Sequence, residues 1–97
     1  MKIVLACNAG MSTSIMKMKL ENEIKNDGIE PDVIAVPVSE IEDYLEGASV
    51  ILLGPQVRFL ENEIKQKTDI PVVVIDIRDY GTMNAKNVYS VIKSKLN

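Results

Sequence analysis

The chain has 97 residues, 46% of them hydrophobic, a formal charge of −3 and a pI near 4.9; that is room for one small domain spanning residues 1–97 and excludes disorder as the default. The acidic balance excludes the basic footprint of a nucleic-acid binder, and with no apolar run near the ~20 residues of a membrane span and no signal-peptide pattern the chain is expected to be cytoplasmic, without direct membrane insertion. One cysteine and no histidine exclude an internal disulfide and His-assisted Ser or Cys catalysis, and argue against a catalytic zinc site.

Ile3, Val4, Leu5 and Ala6 form a continuous apolar run of the kind buried on both faces of a parallel sheet, and it ends at Cys7. Small and hydroxylated residues follow, and a helix is expected from near Thr13, with Met16, Leu20 and Ile24 inward at four-residue spacing. Gly28 suits the left-handed position after it. Asp32–Pro37 reads as a second strand, stopped by a proline that cannot donate to a ladder. Ser39 and Glu42 stand in capping-box spacing and predict a short helix through Tyr44 and Leu45, closed by Gly47.

Ser49–Leu53 is the third predicted strand, and Gly54-Pro55-Gln56 a turn leading directly into a helix with Val57, Leu60 and Ile64 on one face. Val72–Ile75 is the fourth, ended by Asp76. Ile77–Met83 is expected as a polar loop before a last helix with Ala85, Val88, Ile92 and Leu96 inward. Strands alternating with helices predict an α/β fold: an open four-stranded parallel sheet, helices on both faces, of flavodoxin-like or phosphatase-like P-loop topology.

Ligands of such a sheet sit beyond the carboxyl ends of its strands. Four segments reach that edge: Cys7–Ser14, Pro37-Val38, Gly54-Pro55-Gln56 and Asp76–Gly81. Only the first carries a nucleophile. A lone cytosolic cysteine is commonly an inert buried thiol, but Cys7 heads a small-residue loop at a helix N-terminus, where unpartnered N–H groups attract anions and the field favours thiolate over thiol. Asn8, Ala9, Gly10, Met11, Ser12, Thr13 and Ser14 are the candidate phosphate-binding residues, each alone explicable as turn or capping chemistry. Asp76, Gln56 and Tyr80 carry a weaker signal, since polar residues at strand ends are more often structural.

A Walker loop and a G-x-G-x-x-G dinucleotide site are absent, and so is C-x-x-C. The chief rival is a cysteine-dependent phosphatase, whose loop C-x5-R carries arginine where this chain has Thr13. A non-catalytic anion-binding or interaction module is the second alternative.

Cys-Asn-Ala-Gly-Met-Ser-Thr-Ser after the first strand, Leu-Leu-Gly-Pro-Gln after the third and Asp-x-x-x-Tyr-Gly after the fourth resemble the enzyme IIB component of the bacterial sugar phosphotransferase system, lactose/cellobiose/chitobiose class, over essentially the whole chain. The resemblance implies a cytoplasmic phosphocarrier whose Cys7 accepts a phosphoryl group from a phosphohistidine of enzyme IIA and passes it to a sugar, such as a β-linked disaccharide, held by the membrane permease, enzyme IIC. It implies no cofactor and no metal. Gln56, Arg58, Asp79 and Tyr80, on the strand-end edge with the loop, are expected to face those partners.

Overall fold

A computed structural model describes residues 1–8 and 11–96, with the backbone alone at Met11. Its strands are β1 (Ile3–Cys7), β2 (Val33–Pro37), β3 (Val50–Leu53) and β4 (Val72–Val74); its α-helices are α1 (Met11–Asn26), α2 (Glu61–Lys67), α3 (Ile77–Gly81) and α4 (Ala85–Leu96). All strand pairs are parallel, in the order β2-β1-β3-β4. This is the flavodoxin-like arrangement expected from the alternation of strands and helices. The register sets Cys7 opposite Pro37, and Ala6 opposite Leu53, so the carboxyl ends lie side by side.

The period of two along each strand divides the core into two layers. Ile3, Leu5, Val50, Leu52 and Val73 face α1 and α4, where they meet Met16, Leu20, Ile24, Val88 and Ile92. Val4, Ala6, Ile51, Leu53 and Val72 face the opposite way, against Ile41, Val57 and Ile64. β1 and β3, buried on both faces, are accordingly the most continuously apolar segments of the chain.

The C-terminus of α1 follows the sequence closely. Gly28, at φ 77°, donates its N–H to the Lys25 carbonyl, and Ile29 N–H reaches back to the Ile24 carbonyl, the paired bonds of a Schellman ending. Next to it the Tyr89 hydroxyl donates to Asp27 Oδ2 at 2.8 Å, and Lys93 lies over the Tyr89 ring, 4.6 Å from its centroid. These contacts tie α4 to the end of α1. Burial, with Asp27 adding to it, pushes the Tyr89 phenol above its ordinary pKa.

Several local expectations are corrected. α1 begins at Met11, so Thr13 lies inside the first turn. The Ser39/Glu42 capping box does not form: Val38–Tyr44 is a 3-10 helix entered from Pro37 without a side-chain cap, and Glu42 instead pairs with Lys67 at 2.8 Å. The helix after β3 is broken, a 3-10 turn over Pro55–Leu60 with non-helical dihedrals at Val57 before α2 begins. Ile77–Met83 is not a plain loop, because Asp76 caps α3 by accepting from the Arg78 and Asp79 N–H groups. Leu96 is exposed, and Tyr89 occupies the inward position in its place.

Candidate active site

Cys7 ends β1 and the next described helix, α1, opens at Met11, so the thiol stands between a strand end and a helix N-terminus. The strand order adds what the linear pattern did not contain. β2 lies on one side of β1 and β3 on the other, so the chain reverses direction across the sheet between β1 and β3. That reversal is the crevice in which open α/β sheets bind ligands, and Cys7 and Gly54 flank it. Gly54 N–H donates to the Ala6 carbonyl at 2.9 Å, extending the ladder to the site.

Gly54 is needed for closeness. Its φ of −61° suits any residue, yet a Cβ placed on it would lie 2.9 Å from Cys7 Cβ and 2.9 Å from Gln56 Oε1. The glycine of Leu-Leu-Gly-Pro-Gln therefore lets the third strand end press against Cys7 while the Gln56 amide lies close over the glycine.

Cys7 is buried, and its thiol donates to the Asn8 carbonyl at 3.0 Å. Its sulfur is also hydrogen-bonded to Thr13 Oγ1. Thr13 Oγ1 in turn lies 3.3 Å from the Tyr80 hydroxyl. With the thiol proton on the Asn8 carbonyl, the assignment that satisfies each group has Tyr80 donating to Thr13 and Thr13 donating to sulfur. Once the sulfur is a thiolate, the Thr13 bond becomes charge-assisted. Two hydroxyls thus stand in series behind the sulfur, placed to stabilise negative charge on it.

The expected site residues divide accordingly. Thr13 is the buried polar side chain of the described chain, whereas Asn8, Ser12 and Ser14 are exposed. Ala9, Gly10 and the Met11 side chain lie outside the described residues. Gln56 and Arg58 are exposed and line a groove of about 390 Å³ with Pro55, Ile77, Tyr80 and Gly81. Tyr80, expected to face a partner, is instead buried, with its hydroxyl turned to Thr13. Asp79 faces α4, where its Oδ2 accepts from Asn87 Nδ2 at 2.7 Å. Sequence reading missed the Thr13–Tyr80 pairing. Its one available signal was the Asp76 cap, which starts a helical turn and so swings the residue four positions on back toward the sheet.

Residues 2–91 match the family described as PTS system, Lactose/Cellobiose specific IIB subunit. The chain belongs to that family. This IIB chain is 35% identical over 103 residues to the cellobiose-specific EIIB component of Lactococcus lactis, covering 98% of this chain and 95% of the relative. It is 36% identical over 91 residues to the oligo-beta-mannoside-specific EIIB component of Bacillus subtilis, covering 91% and 88%. The solution structure of a cellobiose-specific IIB component from Borrelia burgdorferi superposes with a TM-score of 0.80 at 33% identity, over 100% of this chain and 92% of the other. The lactose-specific IIB domain from Streptococcus pneumoniae, at 16% identity and TM-score 0.81 over 96% and 95%, shares the fold. The chain is therefore a phosphotransferase component of the cellobiose/lactose class, in a system where IIB components work with IIA and IIC. Among the described residues no helix is long and apolar enough to cross a membrane.

Proposed function

We propose that this IIB chain is a cytoplasmic phosphocarrier that holds a phosphoryl group on Cys7 between enzyme IIA and a sugar bound by the permease, enzyme IIC. The observation that carries this reading is the position of the Cys7 sulfur, at the switch point of the sheet and in contact with the Thr13 hydroxyl. In the first step the Cys7 sulfur attacks phosphorus in line as a thiolate, a P–S bond forms, and the P–N bond to the donor imidazole breaks with its electron pair returning to the ring, which takes up the proton that the thiol gives up. In the second step a sugar hydroxyl attacks phosphorus, the P–S bond breaks and the thiolate is regenerated. The sugar proton goes to a base on the permease side, since this chain has no histidine to take it.

Phosphoryl transfer is mostly positioning and charge stabilisation. The backbone N–H groups of the first turn of α1 supply charge stabilisation without a metal or cofactor, and Thr13 and Tyr80 stabilise the sulfur in each direction. A phosphatase needs an arginine clamp and an acid that later activates water. Thr13 occupies the clamp's place and is committed to the sulfur, while Asp79 is turned to α4. The same features argue against a non-catalytic module, which has no use for a hydrogen-bonded thiol. Curated relatives at 35%, 35% and 36% identity are named for cellobiose, galactose and oligo-beta-mannosides, so the sugar, expected to be a β-linked disaccharide, is chosen chiefly by the permease.

The test is the lifetime of the phosphoprotein. After phosphorylation and removal of enzyme IIA, phospho-Cys7 should persist in water and discharge on addition of permease vesicles with sugar. Rapid hydrolysis, together with Cys7-dependent turnover of an aryl phosphate, would make the protein a phosphatase.

A further inference from the structure

Tyr80 reaches the reacting centre from a helix that cannot hold itself. α3 has five residues, far below the roughly 12 that an isolated helix needs. Its Tyr80 hydroxyl lies 3.3 Å from Thr13 Oγ1, already longer than the usual O–H···O bond, so a further shift of a few tenths of an ångström would break the series to the sulfur. Asp76 caps the start of α3. The other end is fixed from outside the site.

Asp79, Asn84 and Asn87 form a closed ring in which each bonds to both of the others. The Asn84 N–H donates to the Asp79 carbonyl at 2.8 Å, the Asn87 N–H donates to Asn84 Oδ1 at 3.1 Å, and Asn87 Nδ2 donates to Asp79 Oδ2 at 2.7 Å. An ionised carboxylate only accepts, which sets the nitrogen of the Asn87 amide toward Asp79. The ring closes over Met83, whose φ of 52° a non-glycine residue adopts at a cost. The partly buried Met83 side chain packs on the core layer that Tyr80 shares. Hydrogen bonds thus hold the turn between α3 and α4 against its own backbone preference, and Tyr80 follows Asp79 directly in the chain.

We infer that Asp79 and Asn87 are positioning residues for phosphotransfer: their bond fixes α3 on α4 and so holds the Tyr80 hydroxyl against Thr13. The inference rests on the phosphocarrier reading. Neither residue touches the sulfur, and the effect passes through Tyr80 alone. What the ring requires of this pair is one donor facing one acceptor, so exchanging the two side chains keeps it. Two carboxylates in the same places have no proton to share and repel.

The experiment follows single-turnover transfer from phosphorylated enzyme IIA to Cys7 by rapid quench over a range of enzyme IIA concentrations. The variants are Asn87→Asp, Asp79→Asn/Asn87→Asp, Tyr80→Phe and Tyr80→Phe/Asn87→Asp. Asn87 is exposed, so its exchange leaves the core untouched, and circular dichroism with thermal melting verifies each fold. Asn87→Asp should slow the saturated rate by the same few-fold as Tyr80→Phe and leave the half-saturating concentration of enzyme IIA unchanged. The exchanged pair should restore the rate. On the Tyr80→Phe background Asn87→Asp should cost no further rate, although it lowers the melting temperature on both backgrounds alike. A wild-type rate in Asn87→Asp, or a loss that the exchanged pair leaves in place, would overturn the positioning role alone. So would a loss that adds fully to that of Tyr80→Phe, or one seen only in the half-saturating concentration. If wild type takes no phosphoryl group from enzyme IIA, the carrier reading fails and the positioning role with it.

Discussion

Gly54→Ala separates a glycine kept for close approach from one kept for backbone freedom. At φ −61° and ψ 151° alanine is unstrained, and a Gly→Ala exchange at such a position ordinarily stabilises by about 0.4–1 kcal/mol through the unfolded state. Here the new methyl would lie 2.9 Å from Gln56 Oε1 and 2.9 Å from Cys7 Cβ. The first contact is relieved cheaply, because the Gln56 side chain is exposed and can swing away. The second is not, because Cys7 is on a central strand and buried. Overpacking of this kind costs about 1–3 kcal/mol. Less the unfolded-state gain, a net loss of roughly 0.5–2 kcal/mol remains, or about 3–12 °C in melting temperature for a chain of this size. The larger effect falls on chemistry, since displacing a nucleophile by about 1 Å can cost on the order of 100-fold in rate. The assay pairs thermal denaturation with phosphotransfer for Gly54→Ala and for Gly54→Ala/Gln56→Ala. The double variant should recover little, because it removes only the soft contact. Wild-type melting and transfer in Gly54→Ala would refute the close-approach argument, and full recovery in the double variant would move the constraint from Cys7 to Gln56.

Thr13→Val keeps the shape but removes the donor to sulfur, and should slow transfer on the order of tenfold or more, as the loss of a hydrogen bond to a charged group implies; single-turnover quench measures it. Tyr80→Phe acts through Thr13 and should cost only a few-fold, with little further loss when combined with Thr13→Val, so additive losses would break the series Tyr80–Thr13–Cys7. The Tyr89 phenol has a raised pKa in the folded state, so its contribution is complete below the ordinary value of about 10 and is lost as pH rises through the folded value; urea denaturation between pH 8 and about 11 should show a steeper alkaline loss in wild type than in Tyr89→Phe. Saturating phosphate should raise the melting temperature more than chloride at matched ionic strength, by mass action on the native state.

Much of the fold was legible because each buried strand is a short β-branched or aliphatic run and each turn carries its own chemistry. Gly28 and Gly47 both adopt the positive φ that glycine tolerates. What escaped had physical causes. Ser39 and Glu42 have capping-box spacing, but Pro37 precedes a 3-10 helix, and Glu42 finds Lys67 across a cleft instead of a backbone N–H. Ala85, Val88, Tyr89 and Ile92 follow the i, i+3, i+4, i+7 rule; a strict four-residue count passes over Tyr89 and reaches Leu96, which is exposed at the end of α4. In the site, Cys7 and the first turn of α1 are local in sequence and could be read there. The contact with Gly54 depends on strand order, and the Thr13–Tyr80 bond spans the fold, so neither is written in any one segment.

A phosphoryl group that rides on Cys7 can be found there directly. The protein is incubated with phosphoenolpyruvate, the general phosphotransferase proteins and a matching enzyme IIA, then digested near neutral pH and mapped by mass spectrometry, alongside Cys7→Ser. A single phosphorylated peptide with the group on Cys7 is expected, and no transfer in the serine variant, whose hydroxyl is far less acidic and has no histidine base. A phosphoryl group on any other residue, or full transfer by Cys7→Ser, would contradict it.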